Sequence, residues 1–159
     1  MGMTAVNEGT IAVRPLARDD LAAWRPLWDG YNAFYGREGA TALPEAVTRA
    51  TWSRFLDPAE PVHALVATEG AAVVGLAHYL FHRSTTRLHD VCYLQDLYTA
   101  PAQRGRGVGR RLIEAVAAAA QAAGSSRLYW QTQATNAAGR ALYDRVAQHA
   151  GFIVYAREL

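Results

Sequence analysis

Arg104-Gly105-Arg106-Gly107-Val108-Gly109-Arg110 is the stretch on which the reading of this 159-residue chain turns. Residues 87–98 before it are a β-rich run. From Val108 the period becomes helical, with Leu112, Val116 and Ala119 on one stripe and Gly124 as a stop. A glycine-rich loop between strand and helix exposes successive backbone N–H groups, and the helix start adds partial positive charge. Phosphate oxygens are its natural ligand, and the flanking arginines supply charge-assisted donors. A Walker A loop requires a lysine, and this chain has none. The dinucleotide fingerprint counted from Gly105 and Gly107 requires glycine where Arg110 stands.

Working outward, residues 10–16 alternate as a first strand, and Asp19 and Asp20 offer caps to a helix with Leu21, Trp24, Leu27, Trp28 and Tyr31 at spacings of three and four. A second helix is expected over residues 44–55. Residues 62–68 and 71–81 form a hairpin about Glu69-Gly70, and residues 87–98 extend the meander. After the glycine loop come a strand over 127–133, a helix over 136–149 and a short final strand over 151–155. This order predicts an α+β (mixed α/β) domain spanning 10–159 in which the crossover between 87 and 133 pairs strands in parallel, with residues 1–9 flexible.

Bulk properties narrow the partners. The net charge of +2 demands neither nucleic acid nor an acidic membrane, and the arginine cluster at 104, 106, 110 and 111 accompanies no helix-turn-helix or RNA-binding motif. The reading is therefore no nucleic acid, no membrane and a cytoplasmic chain. Cys92 is the only cysteine and sits in a hydrophobic strand, so it reads as a buried structural thiol that suits a reducing compartment. His78, His82, His89 and His149 form no triad and no metal-ligand spacing, and no metal site is expected.

The spacing Arg104-x-x-Gly107-x-Gly109 resembles the Gln/Arg-x-x-Gly-x-Gly/Ala signature of the GNAT superfamily of N-acetyltransferases. Leu94-Gln95-Asp96-Leu97-Tyr98-Thr99 looks like that superfamily's fourth strand. Asn136-x-x-Gly139-x-Ala141-Leu142-Tyr143 is similar to its helix motif, and Ala150-Gly151-Phe152 to the opening of its last strand. Within the superfamily, Tyr93 to Tyr98, Leu128-Tyr129-Trp130-Gln131-Thr132 and Leu142-Tyr143-Asp144 resemble the polyamine, histone and D-amino-acid acetyltransferases. The resemblance implies a GNAT-like fold: a central mixed sheet with splayed parallel strands, flanked by about four helices.

It also implies acetyl-CoA as cosubstrate, with the pyrophosphate on Arg104, Gly105, Arg106, Gly107, Val108, Gly109 and Arg110. Leu97, Tyr98 and Thr99 would serve the pantetheine arm, Asn136 and Gly139 would line the cofactor, and Tyr143 would be both cofactor contact and catalytic acid. Gln95, Asp96, Tyr35 and Trp130 are the substrate-binding candidates. Where the subgroup carries Glu-Asp this chain has Gln95-Asp96, which leaves the proton acceptor open. Gln95 could orient a water, Asp96 could accept although strand alternation sends it to the opposite face, or the amine could be drawn from its small neutral fraction. The expected acceptor is a small-molecule primary amine. The alternatives are a protein or histone lysine and a catalytically silent CoA sensor, and relatives of this kind pair as homodimers.

Overall fold

A computed structural model describes residues 9–159. The expected loose terminus, apart from Gly9, lies outside the described residues. One sheet has the order β1-β2-β3-β4-β5, formed by β1 (Ile11–Pro15), β2 (Val62–Glu69), β3 (Ala72–His82), β4 (Val91–Thr99) and β5 (Leu128–Tyr129). The first three pairings are antiparallel, and β4 with β5 is parallel. The hairpin turns at Gly70, whose φ of 58° is easy only for glycine.

Helices α1 (Leu21–Phe34) and α2 (Glu45–Leu56) cover one face, and α3 (Val108–Ala122) covers the other. Trp24, Leu27, Trp28 and Tyr31 turn one stripe of α1 onto Leu76 of β3. Trp28 Nε1–H donates to Thr48 Oγ1 at 3.1 Å, which ties α1 to α2. Asp20, expected as a helix cap, makes no cap bond. Its carboxylate instead grips Arg14 at 2.7 and 2.8 Å and accepts the Ala17 N–H, because a bidentate guanidinium is the stronger partner.

On the opposite face, Val108, Leu112, Ile113, Val116 and Ala120 press α3 against Leu65, Ala67, Ala77, Cys92 and Leu94. Gly75 permits this approach. A Cβ there would stand 2.9 Å from Val108 Cγ1, 3.1 Å from Leu112 Cδ1 and 3.1 Å from the Tyr98 carbonyl oxygen. Arg111 Nη1 donates to the Ile11 carbonyl at 2.7 Å and pins α3 to β1.

Two expected strands differ. The run over 127–133 is reduced to the two residues of β5, and residues 151–155 form no strand. After α4 (Ala137–Val146) every residue to the C-terminus is exposed, with Phe152 at 82% and Tyr155 at 87%. An apolar sequence becomes a strand only when a ladder partner satisfies its backbone, and this segment meets none among the described residues.

Two outcomes follow from this packing. Gly75→Ala should cost about 1–3 kcal/mol in a urea titration, because the added methyl must move α3 or the backbone of β4. Cys92 is fully buried and burial pushes its thiol up to about 11, so native protein at pH 8 should resist maleimide labelling, which denaturant should restore.

Candidate active site

The glycine loop enters α3 through Gly107, the residue before its first turn, with a φ of 81°. Gly105 likewise has φ 77°, and a Cβ at either position would meet nothing within 4 Å, so both glycines border open space. The first loop-to-helix bond runs from Arg111 N–H to the Gly107 carbonyl at 3.0 Å, and no side chain caps the helix start. The amides of 108 to 110 precede that bond and have no intrahelical acceptor. A 15-residue helix adds its dipole to them. Open backbone amides beside glycine surfaces form an anion cradle whose donor chemistry fits a pyrophosphate.

The arginines divide. Arg104 lies over the Tyr98 ring at 5.4 Å and donates from Nε to the Thr99 carbonyl at 3.3 Å, which holds it beside the loop. Arg106, expected as a phosphate donor through its side chain, turns its guanidinium to Glu69 at 2.5 Å and also contacts Gln103. The carboxylate at the end of β2 competes directly for that charge. Arg110 is exposed on the first turn of α3.

The second part of the site is an irregularity in β4. His78 of β3 pairs with Asp96, but Tyr79 pairs with Leu94, so Gln95 is an extra residue. Without this bulge Asp96 would share the face of Leu94, toward α3. The extra residue turns it to the α1 face, where its carboxylate accepts from His78 Nδ1 at 2.8 Å. Leu97 then faces α3 and Tyr98 faces α1, with the Tyr98 hydroxyl against Gly30. The parallel pairing with β5 covers only Cys92 and Tyr93, so β4 from Leu94 onward, including Leu97, Tyr98 and Thr99, parts from its neighbour and leaves a wedge.

Aromatic side chains surround the wedge. The Tyr31 hydroxyl reaches the Gln95 carbonyl at 3.5 Å, and burial, then the Asp96 charge, raise its pKa. Tyr35, which ends α1, also has a raised pKa, chiefly from burial and next from Asp96, while Arg37 and Thr132 oppose the shift. Arg37 lies over both rings, 5.8 Å from that of Tyr31 and 5.4 Å from that of Tyr35. Gln95, Asp96, Trp28 and Arg54 help line a cavity of about 130 Å³. A larger hollow of about 400 Å³ between Arg18, Trp52 and Pro58 contains none of these groups.

Helix α4 closes the wedge. Asn136 caps it, accepting the Gly139 N–H at 3.1 Å and donating to Thr132 at 2.9 Å. Gly139 leaves room for this cap, since a Cβ there would stand 2.4 Å from the Asn136 amide nitrogen and the side chain would have to shift. Gly109 faces Leu142, whose Cδ2 would lie 3.1 Å from an added Cβ, so α4 sits directly on the first turn of α3. Tyr143 follows Leu142 and meets Trp130 edge-on at 5.5 Å. Burial first, and Tyr35 second, raise the Tyr143 pKa, so its phenol keeps its proton at neutral pH.

Tyr35 is thus coupled to Asp96 on one side and to Tyr143 on the other. Of the residues singled out from sequence, Gln95, Asp96, Tyr35, Trp130 and Tyr143 surround one wedge, while Asn136, Gly139 and Gly109 shape the helix that delivers Tyr143. Trp130 lies just beyond the shortened β5. Tyr31, Thr132 and His78 also stand here. From sequence Tyr31 belongs to the apolar stripe and to the stretch that could cradle a cation, His78 reads as a packed or solvated histidine, and Thr132 closes the Leu128-to-Thr132 motif.

Comparisons with known proteins agree with this geometry. The profile of the acetyltransferase (GNAT) family matches residues 24–147. The chain is 35% identical over 149 residues to the D-amino-acid N-acetyltransferase HPA3 of Saccharomyces cerevisiae, covering 92% of this chain and 90% of that one. It is 37% identical over 83 residues to the thialysine N-epsilon-acetyltransferase of Mus musculus, covering 49% and 48% of the two chains. The aminoglycoside acetyltransferase AAC(6')-Iy, solved with a CoA bisubstrate analogue, superposes with a TM-score of 0.79 at 18% identity, covering 94% of this chain and 99% of that one. The same enzyme solved with CoA gives 0.78. The five-stranded sheet that splays after Tyr93, its flanking helices and the family match over 24–147 together place this chain in the GNAT family of acetyltransferases.

Proposed function

We propose that residues 10–159 form one domain that transfers the acetyl group of acetyl-CoA directly to the primary amine of a small molecule. The observation that carries this reading is the contact of Gly109 with Leu142, which sets α4, the helix that carries Tyr143, on the uncapped first turn of α3. When bound, acetyl-CoA would supply an activated thioester and leave as a thiol. The amides of 108 to 110 with Arg104 would hold the diphosphate, and the edge of β4 that parts from β5 at Leu97, Tyr98 and Thr99 would guide the chain that follows it. Tyr143 holds a proton at its hydroxyl for the departing sulfur.

The charges around the wedge favour an amino acid among small amines. Asp96 offers an anion for the ammonium, and Arg37, stacked on Tyr31 and Tyr35, offers a cation for a carboxylate. A polyamine would bring only positive charge to Arg37. The D-amino-acid substrate in the name of the yeast relative points the same way.

Two further features belong to the proposal. No helix among the described residues is long and apolar enough to cross a membrane, and the only cysteine is buried and unpaired, which suits a cytoplasmic enzyme. The exposed apolar residues Phe152, Ile153, Val154 and Tyr155 suit a homodimer in which they are covered.

Thiol release from acetyl-CoA, screened against D- and L-amino acids, polyamines, an aminoglycoside and a lysine peptide, should be fastest with amino acids. Tyr143→Phe should lower kcat by at least about tenfold with acetyl-CoA affinity little changed. An unchanged kcat would remove Tyr143 from the reaction. Light scattering should give twice the chain mass, and truncation after residue 150 should reduce it to a monomer. A monomeric full chain would dispose of the dimer.

A further inference from the structure

His78 is a buried titratable side chain that the acetyl-transfer reading leaves without a role. It is 2% exposed, walled by Trp24, Trp28 and Phe55 with ring centroids at 6.0, 5.5 and 4.4 Å. Both ring nitrogens are engaged. Trp24 Nε1 lies 3.1 Å from His78 Nε2, and His78 Nδ1 lies 2.8 Å from Asp96 Oδ2. An indole N–H can only donate, so Nε2 must accept and carries no proton. The neutral ring's single proton is then on Nδ1, where it donates to the carboxylate. Protonating Nε2 would set two N–H groups against each other inside a closed apolar wall.

We propose that His78 is a positioning residue for the transfer reaction: locked by Trp24 in its Nδ1–H form, it holds Asp96 turned toward Tyr31 and Tyr35 as the acceptor of the substrate's ammonium proton. The inference rests on the acetyl-transfer reading and resolves the gap left by Gln95, which has no carboxylate. In the step, an N–H bond of the ammonium breaks and an O–H bond forms on Asp96. The electron pair left on nitrogen becomes the nucleophile, and Asp96 later returns its proton to water. The bulge at Gln95 is what brings Asp96 to this face.

The titratable and charged groups around Asp96 come from five segments. His78 faces it from β3, Tyr31 and Tyr35 from α1 and its end, Arg37 from the following turn, Tyr93 from β4 itself, and Arg54 across the cavity from α2. His78 Nδ1, 2.8 Å from Oδ2, is the donor that fixes which way the carboxylate points.

The test combines kinetics with imidazole nitrogen NMR on the whole chain. In the wild type, His78 should show a protonated Nδ1 and a bare Nε2, and Trp24→Phe should let the Nε2–H tautomer appear. Asp96→Asn should lower kcat/KM at least about a hundredfold with acetyl-CoA affinity unchanged. His78→Leu should lower kcat/KM at least about tenfold with acetyl-CoA affinity unchanged, and His78→Asn, which keeps a donor where Nδ1 stood, should recover it. A purely structural histidine would lower stability with no such recovery. An Nε2–H tautomer in the wild type would overturn the lock. Full activity of Asp96→Asn beside a crippled Tyr143→Phe would overturn this inference and leave the acetyltransferase reading standing. Absence of thiol release by the wild type with every amine would overturn that reading, and the proton-acceptor role with it.

Discussion

The bulge at Gln95 is the constraint on which the site depends. One extra residue in β4 shifts the alternation of everything after it, so that Leu94 and Leu97 both pack toward α3 while Asp96 and Tyr98 turn to α1. A carboxylate on the α3 face would be buried among Leu112, Val116 and Ala120 with no partner, a costly position for a charge. On the α1 face it meets His78 and stands near Tyr31 and Tyr35. The same region of β4 parts from β5, so the reoriented carboxylate and the free strand edge border one wedge.

The wedge is held open by contacts made elsewhere. Gly75 lets α3 lie close on β3 and β4, which carries the loop at 104 to 107 against the end of β4. Gly109 in turn admits Leu142, and the Asn136 cap fixes where α4 begins. Two glycines and one cap thereby set how α4, with Tyr143 on it, seats against the first turn of α3. None of these residues carries charge chemistry of its own, yet each sets a distance within the site.

The cradle at 104 to 109 was legible because phosphate-binding loops depend on local backbone: positive φ at glycines, an uncapped helix start and the order strand, loop, helix. The helices and the meander were legible through their periods. The final strand over 151–155 was not, since its apolar residues describe what could pair and say nothing of whether an edge is within reach. The ion pair of Arg106 was hidden for a related reason. Its partner, Glu69, stands 37 residues away.

The sequence by itself determined the family, the glycine-rich loop between strand and helix and the candidacy of Tyr143, because these rest on short-range spacing that survives in one dimension. Only the tertiary structure decided that Asp96 faces α1, that His78 and Trp24 stand behind it, and that Tyr35 lies within electrostatic reach of both Asp96 and Tyr143. Those relations join residues 18 to 108 positions apart through a bulge in the pairing register, and a register is a property of two strands that neither encodes alone.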